Sequence, residues 1–248
     1  MRDWRGIIGG QPDEHCDHVY ATKPDWVKGT VSSSDARYLF SRVLDARTSL
    51  VVEIGTASGF STVFLCHALE LASRAGLVGD DYRVVSYDIS KNYYVDPARA
   101  AGDAARALLE PEQLEHVTFR HPATAIDVGA DYASDPLRLM FLDANHGHPW
   151  PTLDLLATLD ALRPGAEVIL HDINLPVRCA DFQAWGVKHL FDSLDADKSV
   201  DPGEAVPNIG SVRIPADKDG FRDQLLTILF AHDWEENVEV DTVTAALA

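Results

Sequence analysis

An open α/β fold, with a mostly parallel sheet and helices on both faces, is predicted by three features of the sequence. Short apolar runs alternate with helical patterns, the order expected of βαβ units. The runs are continuously apolar, as strands buried on both faces are. The first run, Leu50-Val51-Val52-Glu53-Ile54, passes through a turn of small residues, Gly55-Thr56-Ala57-Ser58-Gly59, straight into a helical pattern. A strand, a tight turn and a helix N-terminus are how such sheets present a ligand site at the carboxyl ends of their strands.

The elements follow in order. Residues 1–31 show little periodicity but hold Trp4, Trp26, His15, His18 and Cys16, and read as an extended arm or lid ahead of a main domain at 32–248. His15, Cys16 and His18 are metal-ligand types, but in an arm they read as ordinary loop residues. Ser33 or Ser34 caps a helix that places Ala36, Leu39, Phe40, Val43 and Leu44 on one face. Strands are predicted at 50–54, 83–89, 116–120, 138–142 and 167–170, with helices at 61–75, 97–109 (rich in Ala) and 151–162, the last stopping at Arg163-Pro164-Gly165. An amphipathic segment (182–194), a polar loop, a strand near 209–214 and a helix at 217–230 complete the pattern, and residues 238–243 alternate like an edge strand. The sum is a Rossmann-like, seven-stranded, mostly parallel α/β sheet.

Composition narrows the function. A chain of 248 residues, 46% hydrophobic, is long enough for one full α/β core. Twenty-one basic against 39 acidic residues leave a net charge of −18, which repels a phosphate backbone and an anionic membrane surface. Cys16, Cys66 and Cys179 are far apart and form no C-x-x-C pair, so neither a disulfide framework nor a cysteine zinc site is indicated. No signal-peptide core or membrane-length apolar run is present, and the expectation is a cytoplasmic protein acting on a small molecule rather than on nucleic acid or membrane.

Two regions carry chemistry. The glycine turn is spaced Glu-x-Gly-x-x-x-Gly, and Gly55 and Gly59 let a ligand approach the backbone. A nicotinamide site would need a third close glycine and an acid about 20 residues on; here the next strand-end acid, Asp88, lies 33 positions after Gly55. Asp88 is suited to accept both hydroxyls of a ribose. The second region is the pair of strand ends Phe141-Leu142-Asp143-Ala144-Asn145-His146 and Leu170-His171-Asp172. Neighbouring strands lie ~5 Å apart, so Asp143 can approach His171 and Asp172, two carboxylates and an imidazole that suit a divalent ion.

The stretch Glu53-Ile54-Gly55-Thr56-Ala57-Ser58-Gly59-Phe60-Ser61-Thr62 resembles motif I of the class I S-adenosylmethionine (SAM)-dependent methyltransferases, in the variant of their small-molecule O-methyltransferases. The later Leu142-Asp143-x-x-His146 and His171-Asp172 are similar to the pattern of a broad small-molecule family that includes catechol and macrolide-sugar O-methyltransferases. The resemblance covers residues 30–245. It implies that SAM lies against Glu53, Gly55, Thr56, Ala57, Gly59, Ser61 and Asp88, with Ala123 and Asp143 beside it. It also implies a divalent metal (Mg or Mn) on Asp143, His171 and Asp172. His171 stands where the metal-dependent relatives have an oxygen ligand, which leaves open a softer ion such as Fe²⁺ or Zn²⁺, or none. His146 stands at the position of the relatives' lysine base, and His171 is the other candidate base.

Trp185-Gly186-Val187-Lys188 and Pro207-Asn208-Ile209-Gly210 also resemble stretches of that family, and Trp26, Trp150 and Trp185 are candidate lining for an acceptor pocket. The implied activity is methyl transfer to a small-molecule hydroxyl, of a natural product or sugar, in secondary metabolism. The alternatives are a non-methylating, hydroxylase-like enzyme on the same fold, or a SAM-binding protein without turnover. The C-terminal edge strand offers a route to a homodimer.

Overall fold

The computed structural model describes residues 12–134 and 136–247. It divides into two units, within residues 1–122 and 123–248.

The first unit begins with α1 (Pro12–Ala21) and α2 (Ser33–Ala46). The α2 cap is Ser32, one residue before the expected serines. Its side chain accepts the Asp35 amide, and the Asp35 carboxylate accepts the Ser32 amide at 3.0 Å, closing a capping box. Strand β1 (Leu50–Ile54) leads into α3 (Phe60–Arg74), then β2 (Arg83–Tyr87), α4 (Asp103–Leu108), α5 (Pro111–Leu114) and β3 (Val117–Arg120). The strands run parallel in the order β3-β2-β1, with Ile54 opposite Tyr87 and Tyr87 opposite Arg120. Consecutive residues Val51 to Ile54 are all buried, so both faces of β1 are covered, as the unbroken apolar run predicts.

Two segments of this unit differ from the sequence reading. Residues 12–21 form a helix, not an extended arm. Cys16 and Val19 are buried in it, and Tyr20 packs edge-on against Phe60 at 5.8 Å. Trp4 lies outside the described residues. Of the helix expected at 97–109, only Asp103–Leu108 forms. Gly102 at φ +84 starts it, and Asn92 bridges to Ala100 in the preceding loop. That loop is tied to residues 26–29. The buried Tyr93 hydroxyl accepts Lys28 N at 2.9 Å and donates to Lys28 O at 2.6 Å, and the Arg99 guanidinium lies 4.0 Å from the Trp26 ring. These tertiary contacts outweigh the helix propensity of its alanines.

The second unit runs α6 (Ala125–Asp131), β4 (Leu137–Leu142), α7 (Trp150–Thr158) with a single 3-10 turn (Leu159–Ala161), β5 (Leu162–His171), α8 (Leu175–Arg178), α9 (Gly186–Ser193), β6 (Lys198–Val200), β7 (Ile209–Arg213), α10 (Lys218–Ala231) and α11 (Val240–Leu247). The strand order is β4-β5-β7-β6; β4 and β5 are parallel, and β7 is antiparallel to both β5 and β6. With the first unit this makes the seven strands of a mixed, mostly parallel, Rossmann-like α/β sheet.

The seventh strand is not the expected one. Residues 238–243 alternate, but Glu239 O accepts Thr242 N at 3.0 Å and Val243 N at 3.2 Å, which starts α11. The Thr-Ala-Ala-Leu run that follows favours a helix, and Ala246 is buried. The edge-strand route to a homodimer is therefore absent. The short strand β6 comes from the segment expected to be a polar loop. Among the described residues no helix is long and apolar enough to cross a membrane.

Candidate functional site

In the first unit the turn after β1 is built by left-handed backbone: Gly55 at φ +99, Ala57 at +45 and Gly59 at +82. Alanine disfavours this region by roughly 1–2 kcal/mol. Asp88, just beyond β2, holds it there: its Oδ2 accepts Ala57 N at 2.9 Å and its Oδ1 accepts Ser90 N at 2.8 Å. A carboxylate has about four acceptor directions, so these two amides leave capacity for a diol.

Glu53 has a different place. It is fully buried, and its carboxylate accepts Ser61 Oγ at 2.5 Å, Thr62 Oγ1 at 2.5 Å and Ser86 Oγ at 2.6 Å. Because the single Ser86 proton goes to Glu53, the Thr56 hydroxyl, 2.6 Å away, must donate to Ser86. The His121 Nε2, 2.8 Å from Thr56 Oγ1, must then carry a proton. Burial lowers the His121 pKa, which suits a neutral ring in this chain. Glu53, Thr56 and Ser61 thus form an internal network that fixes the turn. Gly59 serves packing as well: a Cβ there would lie 2.7 Å from Gly102 Cα, where Gly102 N donates to Ala57 O at 3.0 Å.

The second unit brings together the four residues singled out at its strand ends. His146 Nε2 lies 3.3 Å from Asp143 Oδ1 and 3.1 Å from Asp172 Oδ2; His171 Nδ1 lies 3.0 Å and 3.5 Å from the same two oxygens. Among the described residues, Asp143, His146 and Asp172 offer ligand atoms that all lie within 4.8 Å of one another. His146 takes the place in that set that the sequence reading gives to His171. Burial would raise the Asp143 pKa, but the adjacent His171 and His146 outweigh it and hold the carboxyl below the usual range. Burial would lower His146, but its bond to Asp143 and the charge of Asp172 raise it instead.

Asn208, at the start of β7, is a site residue to which the sequence reading gives no role. Its Nδ2 donates to Asp172 Oδ1 at 2.5 Å, and its carbonyl accepts Ile173 N, steadying Asp172 at φ +62. The motif Pro207-Asn208-Ile209-Gly210 is visible in the sequence, but nothing there pairs it with Asp172. Asn208 Oδ1 is buried without a partner, an acceptor that a donor or a cation would satisfy. Together with the mixed O/N donor set, this fits a divalent ion.

Other candidates lie elsewhere. His148 is fully buried against the His189 and His232 rings, with centroids 5.9 Å from each. Trp150 hydrogen-bonds Glu236, Trp185 stacks near His189, and Trp26 packs against Tyr93, so all three tryptophans have packing partners. Ala123 directly precedes Thr124, the cap of α6.

Residues 52–173 match the family model described as a methyltransferase domain. Among solved structures, the chain is similar to the O-methyltransferase TomG from Streptomyces achromogenes, involved in tomaymycin synthesis and in complex with SAM: 20% identity, 83% of this chain and 90% of that one, TM-score 0.53. It is similar to an O-methyltransferase from Bacillus cereus in complex with SAH (19% identity, 82% and 90%, TM-score 0.53) and to a methyltransferase from Geobacter sulfurreducens (14%, 84% and 91%, TM-score 0.52). At these identities the likeness is one of fold. No curated protein matches the sequence. The seven-stranded fold is that of these methyltransferase neighbours, and the matched segment, residues 52–173, runs from the strand that leads into the glycine turn to the residue after Asp172.

Proposed function

We propose that this protein transfers a methyl group from SAM to a hydroxyl oxygen of a small molecule. The observation that carries the reading is the cluster of Asp143, His146, His171 and Asp172, which a protein that only binds SAM does not need. The naming of one structural neighbour as an enzyme of tomaymycin synthesis supports a natural-product acceptor.

The residues divide the work. In the first unit the turn from Gly55 to Gly59 takes the amino-acid part of SAM, and the remaining acceptor capacity of Asp88 takes the ribose diol. In the second unit His146 Nε2 takes the proton of the acceptor hydroxyl, and the imidazolium that forms is stabilised by Asp143 and Asp172. Asp143, His146 and Asp172 would also hold a divalent ion, which lowers the pKa of a bound hydroxyl when present. With His146 so occupied, His171 is the imidazole left to accept the proton.

Exhaustive EDTA treatment separates the two forms of the proposal. The metal-assisted form expects turnover to vanish, to return with one added divalent ion, and to be absent in Asp143→Ala and Asp172→Ala. Full turnover after chelation, with no ion found by elemental analysis, removes the metal and leaves histidine base catalysis.

A further inference from the structure

The loop that carries His146, between β4 and α7, is held from one side by two consecutive glutamates in the segment joining α10 to α11. Glu236 Oε2 accepts Asn145 Nδ2 at 2.8 Å and Trp150 Nε1 at 2.9 Å. Glu235 Oε2 accepts His148 N at 2.7 Å, and both its carboxylate oxygens accept Trp185 N, at 3.0 and 3.1 Å. The backbone joins in: Glu235 N and Glu236 N donate to His148 O at 2.9 and 3.3 Å. Residues 145, 148 and 150 are therefore all fixed from the same segment, on both sides of His146.

Glycines complete the fit. A Cβ on Gly147 would lie 2.7 Å from Glu236 Oε1, and one on Gly186 would lie 2.5 Å from His148 N and 2.7 Å from His146 O. The loop backbone thus leaves no room for a side chain at Gly186, and one at Gly147 would displace the Glu236 carboxylate. The N–H groups that these carboxylates receive are neutral, so each bond is charge-assisted on the acceptor side. Among the described residues, the hydrogen-bonding and ionic contacts of the imidazole itself are with Asp143 and Asp172. Its position between them depends on where the backbone of residue 146 is kept.

We propose that Glu235 and Glu236 are positioning residues for the methyl-transfer reaction: together they clamp the 145–150 loop and keep His146 Nε2 between the two aspartates. This rests on the reading of His146 as a residue of the reaction. Loss of the Glu236 carboxylate releases Asn145 and Trp150, and loss of the Glu235 carboxylate releases His148 N; with both gone, the segment keeps its backbone bonds to His148 O, while the first unit, with its glycine turn, is untouched.

Diethyl pyrocarbonate acylates free imidazole nitrogens, and peptide mass spectrometry reports each histidine separately, so no acceptor is needed. His121, in the first unit, is the internal reference. In Glu235→Ala and Glu236→Ala the His146 rate relative to His121 rises at least threefold, and more in the double variant. Glu235→Gln and Glu236→Gln, which keep one carbonyl acceptor, fall back toward wild type. SAH affinity by calorimetry stays unchanged, and kcat drops about tenfold with KM for SAM constant. An unchanged His146/His121 ratio in a folded double variant overturns the clamp. So does a parallel rise in both histidines with weakened SAH binding, which marks general loosening. His146→Ala is the separate control: full kcat in that variant sinks the reading of His146, whereas the acylation ratio still reports on the clamp.

Discussion

Glu53 shows how a residue that reads as a ligand contact can serve the interior. The acid of motif I is plain in the sequence, but its burial and its three hydroxyl donors are not, because Ser61, Thr62 and Ser86 come from two other elements. Glu53→Gln replaces one acceptor oxygen with an NH₂ that faces hydroxyls already committed as donors. Hydrogen bonds to charged groups contribute about 1.5–3 kcal/mol each, and the variant should lose stability by at least that much in urea unfolding. A loss under about 0.5 kcal/mol would show that the network is dispensable. Gly59→Ala is a second probe. Its φ of +82 and the 2.7 Å approach to Gly102 Cα leave no space for a methyl group, so both SAH affinity and thermal midpoint should fall. The glycines were legible as a turn; their packing partner Gly102, 43 positions later, was not.

At the level of elements, the strands were most legible where they are buried on both faces. β1, β2 and β4 fall within two residues of their expected bounds because a mostly apolar run has few alternatives; β3, which alternates half-buried with exposed residues, is found by its period instead. The failures have physical causes. Six residues at 238–243 fit both periodicities, and the helix-favouring residues after them decide for α11. β6 is three residues long and exists because β7 offers it an edge. The expected cap of α2 was one residue late because the reciprocal partner, Asp35, selects Ser32. Ser32→Ala should therefore destabilise the protein by about 1 kcal/mol, whereas Ser33→Ala should not; equal losses in both by denaturant titration would contradict the capping box. The same limit applies to the acid–imidazole cluster. Asp143, His146, His171 and Asp172 were found from strand ends, but Asn208 bonds Asp172, and Glu235 and Glu236 bond the loop that carries His146, from later segments whose contacts no local pattern records.

For the whole molecule, stability has a pH dependence with a named source. Burial, aided by His15, pushes the His67 imidazole down from 6.5 to about 4, with Glu70 opposing only in part. The unfolded chain takes up this proton near 6.5 and the folded chain only near 4. Stability from this group is complete above 6.5 and is lost as the pH falls from 6.5 toward 4, by about 3 kcal/mol at most. Urea unfolding across that range should show the decline, and His67→Asn should flatten it; an identical slope in the variant would assign the loss to other groups.

Methyl transfer from SAM, the function proposed for this protein, requires that it bind the cofactor, and titration of SAH into the protein by calorimetry tests this most directly. The expected result is one-to-one binding that Asp88→Ala weakens by ~1–3 kcal/mol, the range for a lost charged hydrogen bond. No binding to the wild-type protein, or equal affinity in a folded Asp88→Ala variant, would contradict it.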